Sequence, residues 1–345
     1  MADRIDLRSD TATRPTQAMR QAMAMAEVGD DWFGEDPTVN RLQDRAAELT
    51  GKQAALYLPT GTLCTQIALH ALVRSGHLVV CEDSAHVCNT ELRAAAVLSG
   101  VTFRRLEGER GTLSADQVAA ALAPDRRDVT VVDLVAIENT HQVAGGTVTS
   151  VAEVAAVAKA CEDAGVPLYL DGARIFNACT VAGAQVADYA RHVTAMMFCL
   201  SKGLGAPIGS VLVGDREFIR EARRLKILFG AAWRQAGLMA AAGLLALEEG
   251  PKRLATDHEH AQILAHGVAE LLPGSVDPAA VSTNIVFVDV AGTGRSAFEW
   301  QDRLAAEGLI VSVGGPRVRM LTHRDASRAD VETALDAWRR VVAAG

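Results

Sequence analysis

Short apolar runs alternate along the chain with longer stretches that carry a helical repeat. Ala54–Leu58, Leu78–Cys81, Val166–Leu170, Thr194–Leu200 and Ile208–Val213 are apolar and too short for buried helices, so they predict strands. Thr130–Ile137 is strongly β-branched and predicts a parallel strand covered on both faces. Helix signals fall between these runs. Asp36 followed by Pro37 reads as a cap and first-turn proline, opening a helix that ends near Gly51. Gly61–Arg74 reads as a helix with Gly76 beyond its end, and residues 87–99 as another. Ser114-x-x-Gln117 is a capping box, and Ser150 caps a helix over 151–164 that Gly165 ends. Such alternation through about residue 214 predicts an α/β fold, with a mostly parallel central sheet flanked by helices. Right-handed crossovers then put the strand C-termini on one edge, where ligands bind in sheets of this kind.

Beyond residue 250 the texture changes to a helix (252–271), a strand (284–290), a helix (296–307), a strand (318–321) and a final helix (328–343). The Glu248-Glu-Gly-Pro251 break therefore divides the chain into a large domain with an N-terminal arm, 1–250, and a smaller C-terminal α+β domain, 251–345.

Composition narrows the possibilities. With 49% hydrophobic and only 4% aromatic residues, the interior must be built from Ala, Val and Leu, and a disordered chain is excluded. A net charge of −8 argues against nucleic acid or an anionic membrane as the main partner. No run approaches the ~18–20 apolar residues needed to span a bilayer. The N-terminal stretch is charged from residue 3 and lacks an apolar signal core. Six cysteines without a C-x-x-C pair, several in apolar runs, read as reduced buried thiols and so as a cytoplasmic protein. His258-x-His260 has ligand-like spacing but no evident third ligand, so it reads as a solvated helix face and no metal site is expected.

Three groups at predicted strand ends carry chemistry: Asp171-Gly-Ala-Arg174, Ser201-Lys-Gly-Leu-Gly205 and Pro59-Thr-Gly-Thr62. Each alone has a plainer reading, as a helix cap, a solvated loop or a turn. Together they place an acid, a lysine and an anion-binding helix start on one sheet edge. Pyridoxal phosphate needs all three: a lysine for the Schiff base, an acid to keep the pyridine nitrogen protonated, and a helix N-terminus for the phosphate.

The stretches Asp6-Leu-Arg-Ser-Asp-Thr11, Val28-Gly-Asp-Asp31, Gly34-Glu-Asp-Pro-Thr-Val-Asn-Arg41, Glu138-Asn-Thr-His141, Leu170–Ala178, Leu200–Gly214 and Arg234-Gln-Ala-Gly237 resemble the L-threonine aldolase family. These are fold-type I pyridoxal-phosphate enzymes of the β-eliminating lyase superfamily. The resemblance implies that Lys202 is the Schiff-base lysine and Asp171 the pyridinium partner. Gly61 and Thr62 would bind the phosphate, with Arg234 reaching the phosphate region of a neighbouring subunit. His86 would stack on the cofactor ring. Arg174 and Arg319 would hold the substrate carboxylate, with Ser9 assisting, and His86 or His141 would serve as the base at the β-hydroxyl. The activity implied is cleavage or formation of the Cα–Cβ bond of an L-β-hydroxy-α-amino acid, giving glycine and an aldehyde, in a homodimer or homotetramer with shared sites. A transaldolase, β-eliminating lyase or racemase on the same scaffold is the alternative. Departures from the family pattern cluster on the substrate side, at Phe33, Cys88, Thr90, Arg93 and Gln142.

Overall fold

The computed structural model describes residues 4–124 and 131–344. Its twelve strands are β1 (Ile5–Asp6), β2 (Ala54–Leu58), β3 (Leu78–Glu82), β4 (Thr102–Leu106), β5 (Val132–Glu138), β6 (Leu168–Asp171), β7 (Ala195–Cys199), β8 (Ser210–Gly214), β9 (Ile285–Asp289), β10 (Leu309–Ile310), β11 (Ser312–Gly314) and β12 (Arg317–Leu321). Seven of them form the central sheet in the order β2-β8-β7-β6-β5-β3-β4. All neighbours are parallel except around β8, which runs against both β2 and β7. The reversed strand brings Ser210, at its start, to the edge where the other strands end, opposite Leu58 and Cys199.

The predicted strands are recovered within a residue or two. Thr130 lies outside the described residues, and its strand runs from Val132. β4, Thr-Phe-Arg-Arg-Leu, carries no comparable apolar signal because it is the edge strand and stays partly solvated. The helix expected over 87–99 is broken into His86–Asn89 and Ala94–Ser99. Between them Leu92 and Arg93 adopt left-handed backbone, with φ of 51° and 65°. Two such residues in succession cannot continue a right-handed helix.

Each face of the central sheet is covered by its own apolar cluster, one around Leu42, Val135, Leu170 and Phe198 and the other around Leu56, Ile67, Leu134 and Met197. A third cluster fills the C-terminal unit, where β9 and β11 flank β12 in an antiparallel sheet and Trp300 stacks on Trp338 at 5.3 Å. The N-terminal arm joins this third cluster: β1 pairs with β10, and Leu7 is fully buried there. All six cysteines are free, and five are buried. Among the described residues no helix is long and apolar enough to cross a membrane.

Candidate active site

The C-terminal edge of the sheet carries an acid on three strands. Glu82, Glu138 and Asp171 are the last residues of β3, β5 and β6, and Glu138 and Asp171 stand in register. In front of them lies a cavity lined by Thr60, Gly61, Thr62, His86, Glu91, Glu138, Gln142, Asp171, Arg174, Cys199, Ser201 and Lys202, among others. The three strand-end groups read from the sequence therefore meet in one space.

Helix Gly61–Leu72 opens on this cavity. Thr60 caps it by accepting the Leu63 N–H at 3.1 Å. Gly61 sits so close to the floor that a Cβ would lie 2.5 Å from Met197 Cε and 2.9 Å from Cys199 Sγ. A side chain there would force Met197 and Cys199 to shift, and the helix N-terminus at the cavity is a cradle suited to a phosphate. Lys202 follows β7; its carbonyl accepts the Thr13 hydroxyl at 3.0 Å, and its ammonium has no hydrogen-bond or ion-pair partner among the described residues. Asp171 uses Oδ1 to accept the Ala173 N–H at 3.0 Å. A free amine, a buried acid and a helix N-terminus on one cavity match the donor set that pyridoxal phosphate requires.

Arg174 is buried and bidentate to Asp10, with Nε to Oδ2 and Nη2 to Oδ1 both at 2.7 Å. Its Nη1 donates to Gln142 Oε1 at 3.3 Å. Burial alone would raise the Asp10 carboxyl; the Arg174 guanidinium, with Lys202 and Asn284, overrides it and holds Asp10 down to about 2. Asn284 ties the pair to the C-terminal unit by donating to Asp10 Oδ2 at 3.2 Å. Asp10 is 164 positions from Arg174 in sequence, so nothing local marks it as a partner.

His86 places Nδ1 2.9 Å from Glu91 Oε1, and its backbone N–H donates to Glu138 Oε2 at 2.7 Å. Burial pushes the ring down, but Glu91, Asp171 and Glu138 outweigh it and raise its proton affinity. Glu91 is itself raised, chiefly by burial, so the pair holds its shared proton tightly.

The other candidates stand outside the cavity lining. His141 is buried behind it, with Nε2 2.9 Å from Glu82 Oε2 and Nδ1 accepting the Ala144 N–H. Arg319 is half-buried, donates from Nε to Ser312 Oγ at 3.0 Å, and is pushed down by burial and by Arg174 while Asp10 opposes. Ser9 caps the short turn that carries Asp10. Arg234 is exposed, packs over the Trp32 ring at 4.9 Å and pairs with Asp30 at 3.5 Å. Phe33, Thr90 and Arg93 are exposed, whereas Cys88 is buried with Sγ against the carbonyls of Glu82, Asp83 and Ala85. One expectation is corrected. His258 and His260 are not on a solvated face, because helix Leu254–Leu271 packs against Ile175–Ala182. His260 is buried, and His258 Nε2 lies 3.0 Å from Asn177 Nδ2, with burial pushing it down to about 4.

The profile of the β-eliminating lyase family matches residues 6–292. The low specificity L-threonine aldolase of Escherichia coli K12 is 38% identical over 340 residues, covering 98% of this chain and 99% of the relative. Low-specificity L-threonine aldolase 1 of Arabidopsis thaliana is 36% identical, covering 98% and 96%. The solved structure of a Leishmania major threonine aldolase superposes with a TM-score of 0.82 at 20% identity, over 98% of this chain and 99% of that one, and shows the same fold. On the sequence relationship, this chain belongs to the L-threonine aldolase family of the β-eliminating lyases.

Proposed function

We propose that this chain is a pyridoxal-phosphate-dependent aldehyde-lyase that cleaves, and in reverse forms, the Cα–Cβ bond of L-β-hydroxy-α-amino acids of the threonine and allo-threonine type. The observation that carries this reading is the convergence of Lys202, Asp171, Arg174 and the Gly61–Thr62 helix start on one cavity. Bound there, pyridoxal phosphate supplies the electron sink that makes a bond at Cα breakable. The residues of the chain do the rest. Lys202 would hold the cofactor through its amine, and Asp171 would keep a proton at the ring nitrogen. The N–H groups of Gly61 and Thr62 would take the phosphate, with the exposed Arg234 directed at the same group of a neighbouring subunit. His86, on the cavity wall, would stack on the ring.

Charge then selects the substrate end. Arg174 is already neutralised by Asp10, so it contributes direction through Nη1 while Arg319 contributes the net positive charge for an α-carboxylate, with Ser9 beside them. Holding that carboxylate turns the amino acid so that its Cα–Cβ bond is the one aligned for cleavage. His86 lines the cavity and His141 does not, which favours His86 as the group that accepts the β-hydroxyl proton. An aldehyde leaves, and Cα takes a proton to complete glycine.

A homodimer or homotetramer with shared sites belongs to the same proposal, and an exposed Arg234 is compatible with it. The free cysteines support a reducing, cytoplasmic setting. The division into a large domain, 1–250, and a small one, 251–345, belongs to the same proposal. The test is a panel of threonine, allo-threonine and phenylserine assayed for glycine and aldehyde. Glycine with the matching aldehyde supports the aldolase, and ammonia with a keto acid overturns it.

A further inference from the structure

The cavity wall contains a carboxylate that the reaction above leaves unused. Glu91 is buried, yet each of its oxygens is committed to one side chain: Oε1 lies 2.9 Å from His86 Nδ1, and Oε2 accepts Gln66 Nε2 at 2.5 Å. Gln66 is also buried, on the inner face of helix Gly61–Leu72. A carboxylate taken out of water is costly unless it is hydrogen-bonded, and these two side chains give each oxygen one partner. Directly after Glu91, Leu92 and Arg93 both sit in left-handed backbone, with Leu92 itself exposed.

We propose that Glu91 is a positioning residue, which orients His86 for proton transfer and is braced from behind by Gln66. This rests on the reading of His86 as acceptor of the β-hydroxyl proton. A carboxylate only accepts, so Nδ1 carries the hydrogen of this bond and Nε2 is left as the ring nitrogen for the cavity. A base held by a third group is the arrangement that proton-transfer sites require. The charged groups facing His86 are Glu91 from its own connection, Glu138 from β5 and Asp171 from β6, with Arg174 and Lys202 on the far wall of the same cavity. Of these, Glu91 alone bonds the ring.

The experiment uses the full-length holoenzyme in wild type, Glu91→Gln and Glu91→Asp forms. Diethylpyrocarbonate modifies neutral imidazole, so the pH dependence of His86 modification, read by peptide mass spectrometry, gives its titration midpoint. Kinetics with threonine across pH run in parallel. Glu91→Gln is expected to lower the midpoint by about one pH unit, because an anion next to the imidazolium is lost. The acid limb of kcat then moves to lower pH, while plateau kcat falls roughly 10- to 100-fold with a smaller change in KM. Glu91→Asp keeps the charge but withdraws it by one methylene, so its midpoint falls between the two, and it serves if the glutamine variant is unstable. Coincident midpoints overturn the proposal, as does a lowered Tm with an unchanged midpoint, which would mark a merely structural carboxylate. Should wild type release no glycine from any β-hydroxy amino acid, the functional reading falls, while the midpoints still decide the Glu91–His86 pairing.

Discussion

The floor of the cavity is built on a different principle from its rim, the outer set of candidate residues that do not line it. Gly61, Asp171 and Lys202 come from the ends of β2, β6 and β7, within one half of a single rigid sheet. Their separations follow from strand spacing and register, and their neighbours are backbone and buried apolar side chains. Ser9, Arg234 and Arg319 come from the arm, an exposed turn and the C-terminal unit, and Phe33 stands 69% exposed in solvent. By the proposal above, the groups that hold the cofactor's amine and ring nitrogen sit on the sheet, whereas Ser9 and Arg319, directed at the substrate, and Arg234, directed at the phosphate, sit on elements that meet only after the chain is folded and assembled.

The largest expected effect is on the floor. Lys202→Ala should reduce aldolase activity to background and abolish the visible absorbance of the bound cofactor, read on purified protein after dialysis. Next comes the joint between floor and rim. Asp10→Ala leaves Arg174 buried without its partner and should cost about 3–5 kcal/mol, measured by denaturant unfolding. The pH sign is fixed by the depressed carboxyl. Its contribution is present above the unfolded value of 3.8 and lost as pH falls through about 2, so Asp10→Asn should flatten the acid limb of stability over that interval.

A smaller loss is expected at the cradle. Gly61→Ala pushes a methyl against Met197 and Cys199 and should weaken cofactor retention by ~1–3 kcal/mol, read as a dissociation constant. On the rim, Arg319→Gln should raise KM for threonine roughly tenfold with less change in kcat, since it removes one charge-assisted bond. The smallest effect belongs to Phe33→Ala, which should change subunit stability by less than ~0.5 kcal/mol because the ring buries little within one chain. A KM effect at Phe33 as large as that at Arg319 would mean that the exposed ring also contributes to substrate binding.

What could be read from the residues follows the same division. Lys202, Asp171 and Gly61 were legible because each sits within three residues after an apolar run too short for a buried helix, which announces a strand. β4 was not, since an edge strand with Arg104 and Arg105 lacks that alternation. The break at Leu92–Arg93 left no trace, because neither residue type favours left-handed backbone. His258 and His260 read as a solvated face because no third ligand is evident in the sequence, whereas in the fold His258 meets Asn177 and His260 is buried.

Local chemistry was enough to indicate an α/β sheet and the acid, lysine and helix start that the proposal assigns to pyridoxal phosphate, because strand-length apolar runs, helix caps and glycine turns act over a few residues. The partnerships of those groups depend on contacts between distant segments. Asp10 meets Arg174 across 164 positions, Glu91 meets Gln66 across 25, and Thr13 meets the Lys202 carbonyl across 189. No local propensity encodes such pairs. They exist because burying an ionised or polar group is costly unless a complementary one is buried with it, and only the packed fold brings the two together.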